Sequence, residues 1–335
     1  MNTPRLTNHG PAIFWLLAAL ICGAAAPAVA QRATVETVQF YADAVGRTMK
    51  YNIILPPGYD TEEAANRLYP TLYLLHGGGS NFQAWRRFLG VPSYALDYEM
   101  IVVMPDAGNS LYVNWAQTDD GRLNAWEDYI VTDLIGHVQT NYRVVERREG
   151  RAITGFSMGG YGALTVGLRH PKMFVSVGSQ SGSLETARNA ARRLRQGEVA
   201  RPPRNYSPET QARRRLENPL IGLPGFSSIV DRTPNGQPFV TPEQADDHDP
   251  FNLVLTVPLA ELPLLSIDCG TDDRLIGASK EFAELLLKHD IPFDYMQLAG
   301  GHDPGYWIQT MGYFMGLHHE TMQRALGQRP ISVRR

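Results

Sequence analysis

The sequence predicts an α/β fold in which a mostly parallel central sheet is flanked by helices. Short apolar runs bounded by Gly and Pro alternate along the chain with longer segments of helical periodicity. Such runs are typical of strands buried on both faces, and their alternation with helices favours parallel strands joined by crossovers. With 335 residues, of which 43% are hydrophobic, the chain is long enough to bury a large core.

Seven apolar runs predict the strands of this sheet. They are residues 49–56, 70–78, 100–106, 150–156, 174–182, 263–270 and 292–300. Apolar side chains at helical spacing predict helices over residues 124–142, 158–170, 277–290 and 305–326.

The first 30 residues have the pattern of a secretory signal peptide. Arg5 precedes an apolar stretch, residues 12–26, and the small residues Ala28 and Ala30 stand before Gln31. We therefore expect cleavage after Ala30 and an exported protein, periplasmic or secreted, without stable membrane insertion. The alternative is an uncleaved N-terminal anchor.

Residues 31–335 are predicted to form a single domain, interrupted by an insertion at residues 183–250. The insertion is rich in Arg at first, then rich in turn formers and poor in periodicity. It is either a solvated surface excursion or a cap over an active site, because long loops on such scaffolds often serve as lids.

Charge and cysteine content exclude several classes of function. A formal net charge of −3 does not favour nucleic acid binding. After signal cleavage Cys269 would be the remaining cysteine, so we expect no internal disulfide and a buried thiol. Clustered histidines and an HExxH motif do not occur, so we expect neither a metal site nor a cofactor.

The segment GFSMGG, residues 155–160, predicts a nucleophilic serine. Ser157 follows a predicted strand and precedes a predicted helix, so the chain must reverse direction within very few residues. A serine on such a strained turn projects its hydroxyl above the sheet, and the flanking Gly155 and Gly159 avoid clashes. The alternative is an ordinary glycine-rich turn.

A base and an acid for Ser157 are expected at later strand ends. His302 follows the last predicted strand. The histidine is expected at this place when the three catalytic residues occur along the chain in the order Ser, Asp, His. The penultimate strand ends in DCGTDDRL, which offers Asp268, Asp272 and Asp273. We favour Asp273, which lies past the strand end, and leave Asp272 as its alternative.

Two backbone N–H groups are expected to form an oxyanion hole. The residue after the nucleophile, Met158, supplies one, and the HGGG segment at residues 76–79 supplies the other. We choose Gly78, with Gly79 as the next choice. A phosphate-binding loop is the alternative, but the segment lacks the Walker Lys-Ser/Thr and does not match GxGxxG.

With these residues placed, the chain resembles the esterase D family of α/β-hydrolases. The resemblance runs from about Tyr51 to Gly316 and is interrupted by the insertion. Its motifs are YPTLYLLHGGGSNFQAW, IVVMPDAGNSLYVNW, WEDYIVTDLIGHVQTNYRV, GFSMGGYGALTVGLRHP, CGTDDRL and GGHDPGYW. The family includes S-formylglutathione hydrolases, tributyrin-type, feruloyl and acetyl-xylan esterases, siderophore-ester hydrolases and mycolyltransferases.

The resemblance implies an α/β-hydrolase fold and the same site residues. It assigns a catalytic triad to Ser157, Asp273 and His302, and backbone donors to Gly78 and Met158. Two departures concern the substrate pocket. Pro304 stands where family members often carry an aromatic residue, and the Arg-rich insertion is longer than in small tributyrin-type esterases.

The function expected from these residues is that of an exported serine carboxylesterase. Its substrates would be short-chain acyl or aryl esters, including carbohydrate-linked ones. Tyr112, Trp115 and Tyr306 could line a sugar or aromatic subsite, with core aromatics as the alternative. Two other functions stay open: an acyltransferase of the mycolyltransferase type on the same triad, and a non-catalytic binding protein on a hydrolase scaffold.

Overall fold

The computed structural model describes residues 33–118, 121, 123–198 and 236–328. The predicted signal peptide and the middle of the predicted insertion lie outside these residues. Within the described part, no helix combines the length and the apolar character needed to cross a membrane.

Eight strands of the described part of the chain form the central sheet. In chain order they are β1 (Thr34–Ala42), β2 (Arg47–Leu55), β3 (Thr71–Leu75), β4 (Ile101–Pro105), β6 (Arg151–Gly155), β7 (Ser176–Gln180), β9 (Leu264–Asp268) and β10 (Phe293–Met296). A separate two-stranded sheet pairs β5 (Gln117–Thr118) with β8 (Gly236–Gln237).

The strand order in the large sheet is β1-β2-β4-β3-β6-β7-β9-β10. The pairs β1–β2 and β2–β4 are antiparallel, and all the other neighbours are parallel. The predicted α/β class with a mostly parallel sheet is therefore confirmed. All seven predicted strands lie in this sheet, whereas the antiparallel edge strand β1 was not predicted.

Helices cover both faces of the sheet. They are α1 (Ala84–Arg87), α2 (Val91–Tyr94), α3 (Trp126–Asp128), α4 (Ile135–Asn141), α5 (Met158–Arg169), α6 (Thr186–Arg195), α7 (Pro242–Asp246), α8 (Pro250–Thr256), α9 (Ile276–Lys288) and α10 (Pro304–Ala325). The helix predicted over residues 124–142 is built from α3 and α4, joined by a π-helical segment, Tyr129–Leu134.

Two hydrophobic clusters fill the space between the sheet and these helices. Adjacent residues of β3 show the division, since Leu72 packs into one cluster and Tyr73 into the other. Every residue of β3, β4 and β6 is buried. Burial on both faces explains why these strands read as continuous apolar runs in the sequence.

Both ends of the predicted insertion pack against the rest of the chain. Ala187 and Ala191 of α6, together with Phe239 and Ala245, form a third cluster with Val113 and Tyr161. The short strand β8 extends this contact by pairing with β5. The described parts of the insertion are thus held beside the loop that follows β4 and beside the first turns of α5.

Candidate active site

Ser157 lies on the reversal between β6 and α5. Its backbone has φ 56° and ψ −118°, a left-handed conformation that costs free energy for a residue with a side chain. A Cβ added at Gly159 would overlap the carbonyl oxygen of Leu75 and lie 2.7 Å from that of His76. Glycine is therefore required for α5 to start this close to the end of β3.

The peptide groups on both sides of the Ser157 Cα are hydrogen-bonded to the end of β7 and to the turn that follows it. The N–H of Ser157 donates to the Gln180 carbonyl at 2.9 Å, and the Ser157 carbonyl accepts from the N–H of Ser183 at 3.1 Å. These two contacts hold the strained residue in place. The sequence contained no signal for them, because they join residues that only the fold brings together.

His302 lies in the loop between β10 and α10, next to Ser157. Its Nε2 atom is 2.9 Å from the Ser157 Oγ, and its Nδ1 atom is 2.8 Å from Asp273 Oδ2. A carboxylate only accepts hydrogen bonds, so Nδ1 carries the proton and Nε2 is free to accept from the serine hydroxyl. The ring also packs edge-on against Trp307, with centroids 5.2 Å apart.

Asp273 is buried behind His302. One carboxylate oxygen faces the imidazole, and the other accepts from the N–H of Leu275 at 2.9 Å. Burial alone would raise the pKa of Asp273, but the hydrogen bonds from His302 and Leu275 outweigh it and lower the pKa below its usual value. The carboxyl is therefore ionised at neutral pH.

The other two candidate acids lie elsewhere. Asp272 is exposed, and its backbone N–H donates to the Gly300 carbonyl. Asp268 is fully buried at the end of β9, and its Oδ1 accepts from the N–H of Ser181 at 3.1 Å. Of the three candidates, the structure places the Asp273 carboxyl against His302.

The glycine segment after β3 lies over the start of α5. A Cβ at Gly78 would be 3.8 Å from the Met158 side chain, so the two residues chosen as oxyanion donors are neighbours. Gly79 has φ 76°, and its N–H donates to Asn109 Oδ1 at 2.7 Å. This contact of Asn109, which fixes the loop from its exposed side, has no signal in the sequence.

A buried histidine holds the same loop from below. The N–H of Ala107 donates to His76 Nε2 at 3.0 Å, so Nδ1 carries the proton and donates to the Gly77 carbonyl at 2.8 Å. The Tyr112 hydroxyl donates to the His76 carbonyl at 2.9 Å. These bonds join the loops after β3 and β4 into one unit.

Two of the three aromatic residues expected at a subsite belong to the core. Tyr112 is fully buried and Tyr306 is 2% exposed. Their rings pack against neighbouring side chains, which agrees with the alternative that they are core aromatics. Neither ring has a face open to a sugar. Trp115 is half-buried, and its indole N–H donates to the Ser110 carbonyl at 2.9 Å.

A buried carboxylate, Glu127, anchors the C-terminal end of the insertion. Glu127 accepts from Arg169 Nε at 2.9 Å and lies 2.7 Å from His170 Nε2. His248 approaches the same carboxylate at 3.6 Å, and its Nδ1 donates to the Gln244 carbonyl. Three separate segments therefore meet at Glu127.

Among the described residues, no group of three or more His, Cys, Asp or Glu side chains is arranged to hold a metal ion. The Cys269 thiol is free and buried.

Comparison with known proteins identifies relatives that are described as esterases. A family model described as "Putative esterase" matches residues 42–313. The chain is 28% identical over 275 residues to Esterase MT1326 of Mycobacterium tuberculosis, covering 79% of this chain and 54% of that protein. It spans about half the length of the curated relatives that it matches at this level.

Two further relatives are an acetyl esterase of Caldicellulosiruptor saccharolyticus and a diacylglycerol acyltransferase/mycolyltransferase, Ag85A, of Mycobacterium bovis. The first is 26% identical over 237 residues, covering 71% of this chain and 78% of that protein. The second is 30% identical over 160 residues, covering 45% and 44%.

Among solved structures, the S-formylglutathione hydrolase FrmB of Staphylococcus aureus superimposes with a TM-score of 0.63. It is 23% identical, and the match covers 86% of this chain and 99% of that one. At this identity the match shows the fold, which is that of an α/β-hydrolase.

Proposed function

The chain belongs to the esterase family described as "Putative esterase", and on that premise we propose that it is an exported serine carboxylesterase. One observation carries the proposal. A hydrogen-bonded series runs from Ser157 Oγ through His302 to Asp273, with distances of 2.9 and 2.8 Å, and the serine sits on a strained turn at the start of a helix.

In the proposed reaction Ser157 attacks the carbonyl carbon of an ester while His302 Nε2 takes the hydroxyl proton. Asp273 keeps the Nδ1 proton in place and stabilises the imidazolium that forms. The same proton then passes to the departing alcohol oxygen as the C–O bond breaks, which leaves an acyl-serine. Water, activated by His302, hydrolyses that acyl group and restores the serine.

The negative charge on the substrate oxygen would be met by the N–H groups of Met158 and Gly78. Met158 is the first residue of α5, so its N–H has no carbonyl acceptor within the helix, and the positive end of the helix dipole adds to its effect. Each such donor is worth about 3 kcal/mol of transition-state stabilisation.

The proposed substrates are short-chain acyl or aryl esters, including carbohydrate-linked ones. An acetyl esterase among the relatives supports a short acyl group. The half-buried Trp115, beside the packed ends of the insertion, is the aromatic residue that remains available to contact the alcohol part of a substrate.

The test is the hydrolysis of p-nitrophenyl acetate by the mature protein and by Ser157→Ala. We expect the variant to lose activity and to lose labelling by a fluorophosphonate probe, while circular dichroism shows an unchanged fold. Ser93→Ala, at an exposed position on α2, is the control and should keep both. If Ser157→Ala retains most of the activity, Ser157 is not the nucleophile. If wild type neither hydrolyses the ester nor reacts with the probe, the chain is a binding protein rather than a serine hydrolase.

A second candidate is an acyltransferase in which a sugar hydroxyl replaces water at the acyl-enzyme. The similarity to a diacylglycerol acyltransferase/mycolyltransferase over 160 residues favours it. Addition of trehalose or xylose to the ester assay separates the two functions, since an acyltransferase forms an acyl-sugar product and a hydrolase releases only the free acid.

Export is tested by expression of the full chain in a bacterial host. The proposed signal peptide predicts a periplasmic product whose N-terminal residue is Gln31. A product that stays with the membrane and retains its first 30 residues would show the uncleaved anchor instead.

A further inference from the structure

A buried carboxyl group that the proposed reaction does not use lies at the end of β9, close to the site. Asp268 is fully buried. Its main-chain oxygen and its Oδ1 atom both accept from the N–H of Ser181, at 2.9 and 3.1 Å. Thr310 of α10 faces the carboxyl as well. Burying a carboxyl group costs free energy unless polar partners compensate for the lost water. The partners of Asp268 therefore indicate its structural role.

What Asp268 holds is the turn that supports the nucleophile. Ser181 has φ 45°, a strained conformation for a residue with a side chain. It lies between Gln180, whose carbonyl accepts from the N–H of Ser157, and Ser183, whose N–H donates to the Ser157 carbonyl. Hydrogen bonds therefore join Asp268 to the turn, and other hydrogen bonds join the turn to Ser157.

We propose that Asp268 is a positioning residue for acyl transfer: its carboxyl holds the turn Gln180–Ser183, and through that turn it fixes the peptide groups of Ser157. The proposal rests on the proposed function, since it assigns a role in the same site. No hydrogen bond joins Asp268 directly to Ser157 or His302, so its effect on the serine passes through this turn. A displacement of about 1 Å in a reacting group lowers the rate by about 100-fold.

The role requires the carboxyl to be protonated at neutral pH. Burial raises the pKa of Asp268 to about 8. In the neutral acid Oδ1 accepts from the Ser181 N–H, and the proton lies on Oδ2, which has no hydrogen-bond partner among the described residues. A carboxylate would bury a negative charge at that unpartnered oxygen. An asparagine has the same acceptor and a similar donor, so it should replace the acid.

Ionisation of Asp268 should weaken the site. Four titratable side chains face Asp268. They are Cys269 and Asp273, which follow it in the chain, Tyr295 of β10 and Tyr306 of α10. None of these four groups is a cation. A carboxylate at Asp268 would therefore be a second buried negative charge near Asp273, without a positive partner among them.

The experiment compares the steady-state kinetics of wild type, Asp268→Leu and Asp268→Asn on p-nitrophenyl acetate. We expect Asp268→Leu to lower kcat about 100-fold with KM changed less than threefold, and Asp268→Asn to restore most of kcat. Ser266→Ala is the matched control, because Ser266 is buried on β9 two residues earlier. It should leave kcat unchanged.

The pH profile gives a readout that a merely structural role would not change. The kcat of wild type should fall as the pH rises through about 8, reversibly, while that of Asp268→Asn should not fall in this range. This comparison also keeps the proposal testable if Asp268→Leu does not fold.

The outcomes separate the two proposals. If wild type neither hydrolyses the ester nor reacts with the fluorophosphonate probe, the proposed function has failed. If wild type is active but Asp268→Leu matches its kcat, or Asp268→Asn shows the same decline above pH 8, then only the role of Asp268 is overturned.

Discussion

Asp273 and His302 are joined at 2.8 Å, whereas Asp272, next to Asp273 in the chain, is exposed and bonded to Gly300 only through its backbone. Asp273→Asn would replace the carboxylate, which only accepts hydrogen bonds, by an amide that can donate one to Nδ1. The His302 imidazole would then favour the tautomer with its proton on Nε2, which cannot accept from the serine hydroxyl. We expect this variant to lower kcat on p-nitrophenyl acetate at least 1,000-fold, since the corresponding change in a serine protease costs about 10⁴.

Asp272→Asn is the matched control for that measurement. It changes the neighbouring carboxyl by the same chemistry and should alter kcat less than threefold. The reverse order of effects would assign the acid to Asp272.

Gly159 should be intolerant of any side chain. The added Cβ of Gly159→Ala would overlap the Leu75 carbonyl, and backbone atoms of a central strand cannot move aside. We expect a loss of about 3 kcal/mol or more in the free energy of unfolding, measured by urea denaturation, together with loss of activity.

Gly277→Ala tests whether that loss is specific to Gly159. Gly277 lies in α9, and no atom outside its own helix backbone would come within 4 Å of an added Cβ. The substitution should raise the free energy of unfolding by about 0.5–1 kcal/mol, because alanine loses less backbone entropy in a helix. Equal destabilisation by both substitutions would contradict the close approach of α5 and β3.

Glu127 should make the stability of the fold depend on acid pH. Burial alone would raise the pKa of Glu127, but hydrogen bonds from His170 and Arg169 and the nearby His248 outweigh it and hold the pKa well below its usual value of 4.5. A pKa lowered by folding stabilises the protein above the unfolded-state value, and that stabilisation is lost as the pH falls below it.

We therefore expect Glu127→Gln to lower the free energy of unfolding by about 3 kcal/mol at pH 7 and by clearly less at pH 4. Urea denaturation at the two pH values measures the difference. Glu284→Gln, at an exposed position of α9, should show no such dependence. A constant difference between wild type and Glu127→Gln at both pH values would mean that the carboxylate is not stabilised by its partners.

Asn109 should affect turnover more than binding. Its Oδ1 fixes Gly79 and with it the direction of the neighbouring Gly78 N–H, which is the proposed oxyanion donor. We expect Asn109→Ala to lower kcat about 10-fold with little change in KM, since the donor acts in the transition state. The exposed Asn141→Ala serves as the control, and an increase confined to KM would instead place Asn109 in substrate binding.

Much of this architecture could be predicted from local sequence. The buried parallel strands have continuous apolar runs, and Ser157, His302 and Asp273 each follow such a run, so the carboxyl edge of a parallel sheet accounts for their proximity. The strand β1 was missed because it pairs only with β2 at the edge of the sheet, so it has no continuous apolar run. The sequence pattern of such an edge strand can be interpreted only when the strand that pairs with it is known.

Contacts between distant segments could not be predicted. The burial of Tyr112 follows from its bond to the His76 carbonyl, and the support of Ser157 comes from Gln180 and Ser183. Composition and periodicity contain nothing about such pairs. The same holds for Glu127, whose three partners come from the C-terminal end of α5, from the residue after it and from the insertion.

The absence of a side chain at Gly159 has a mechanical consequence. With no gap between the Leu75 carbonyl and the first turn of α5, the strand before the glycine loop and the helix after the nucleophile must move as one rigid body. In the proposed reaction, the spacing between Ser157 Oγ and the two amides proposed as oxyanion donors would then be set during folding, before a substrate binds. In the proposed function, selection among substrates would then depend on Trp115 and on the described ends of the insertion, which pack together.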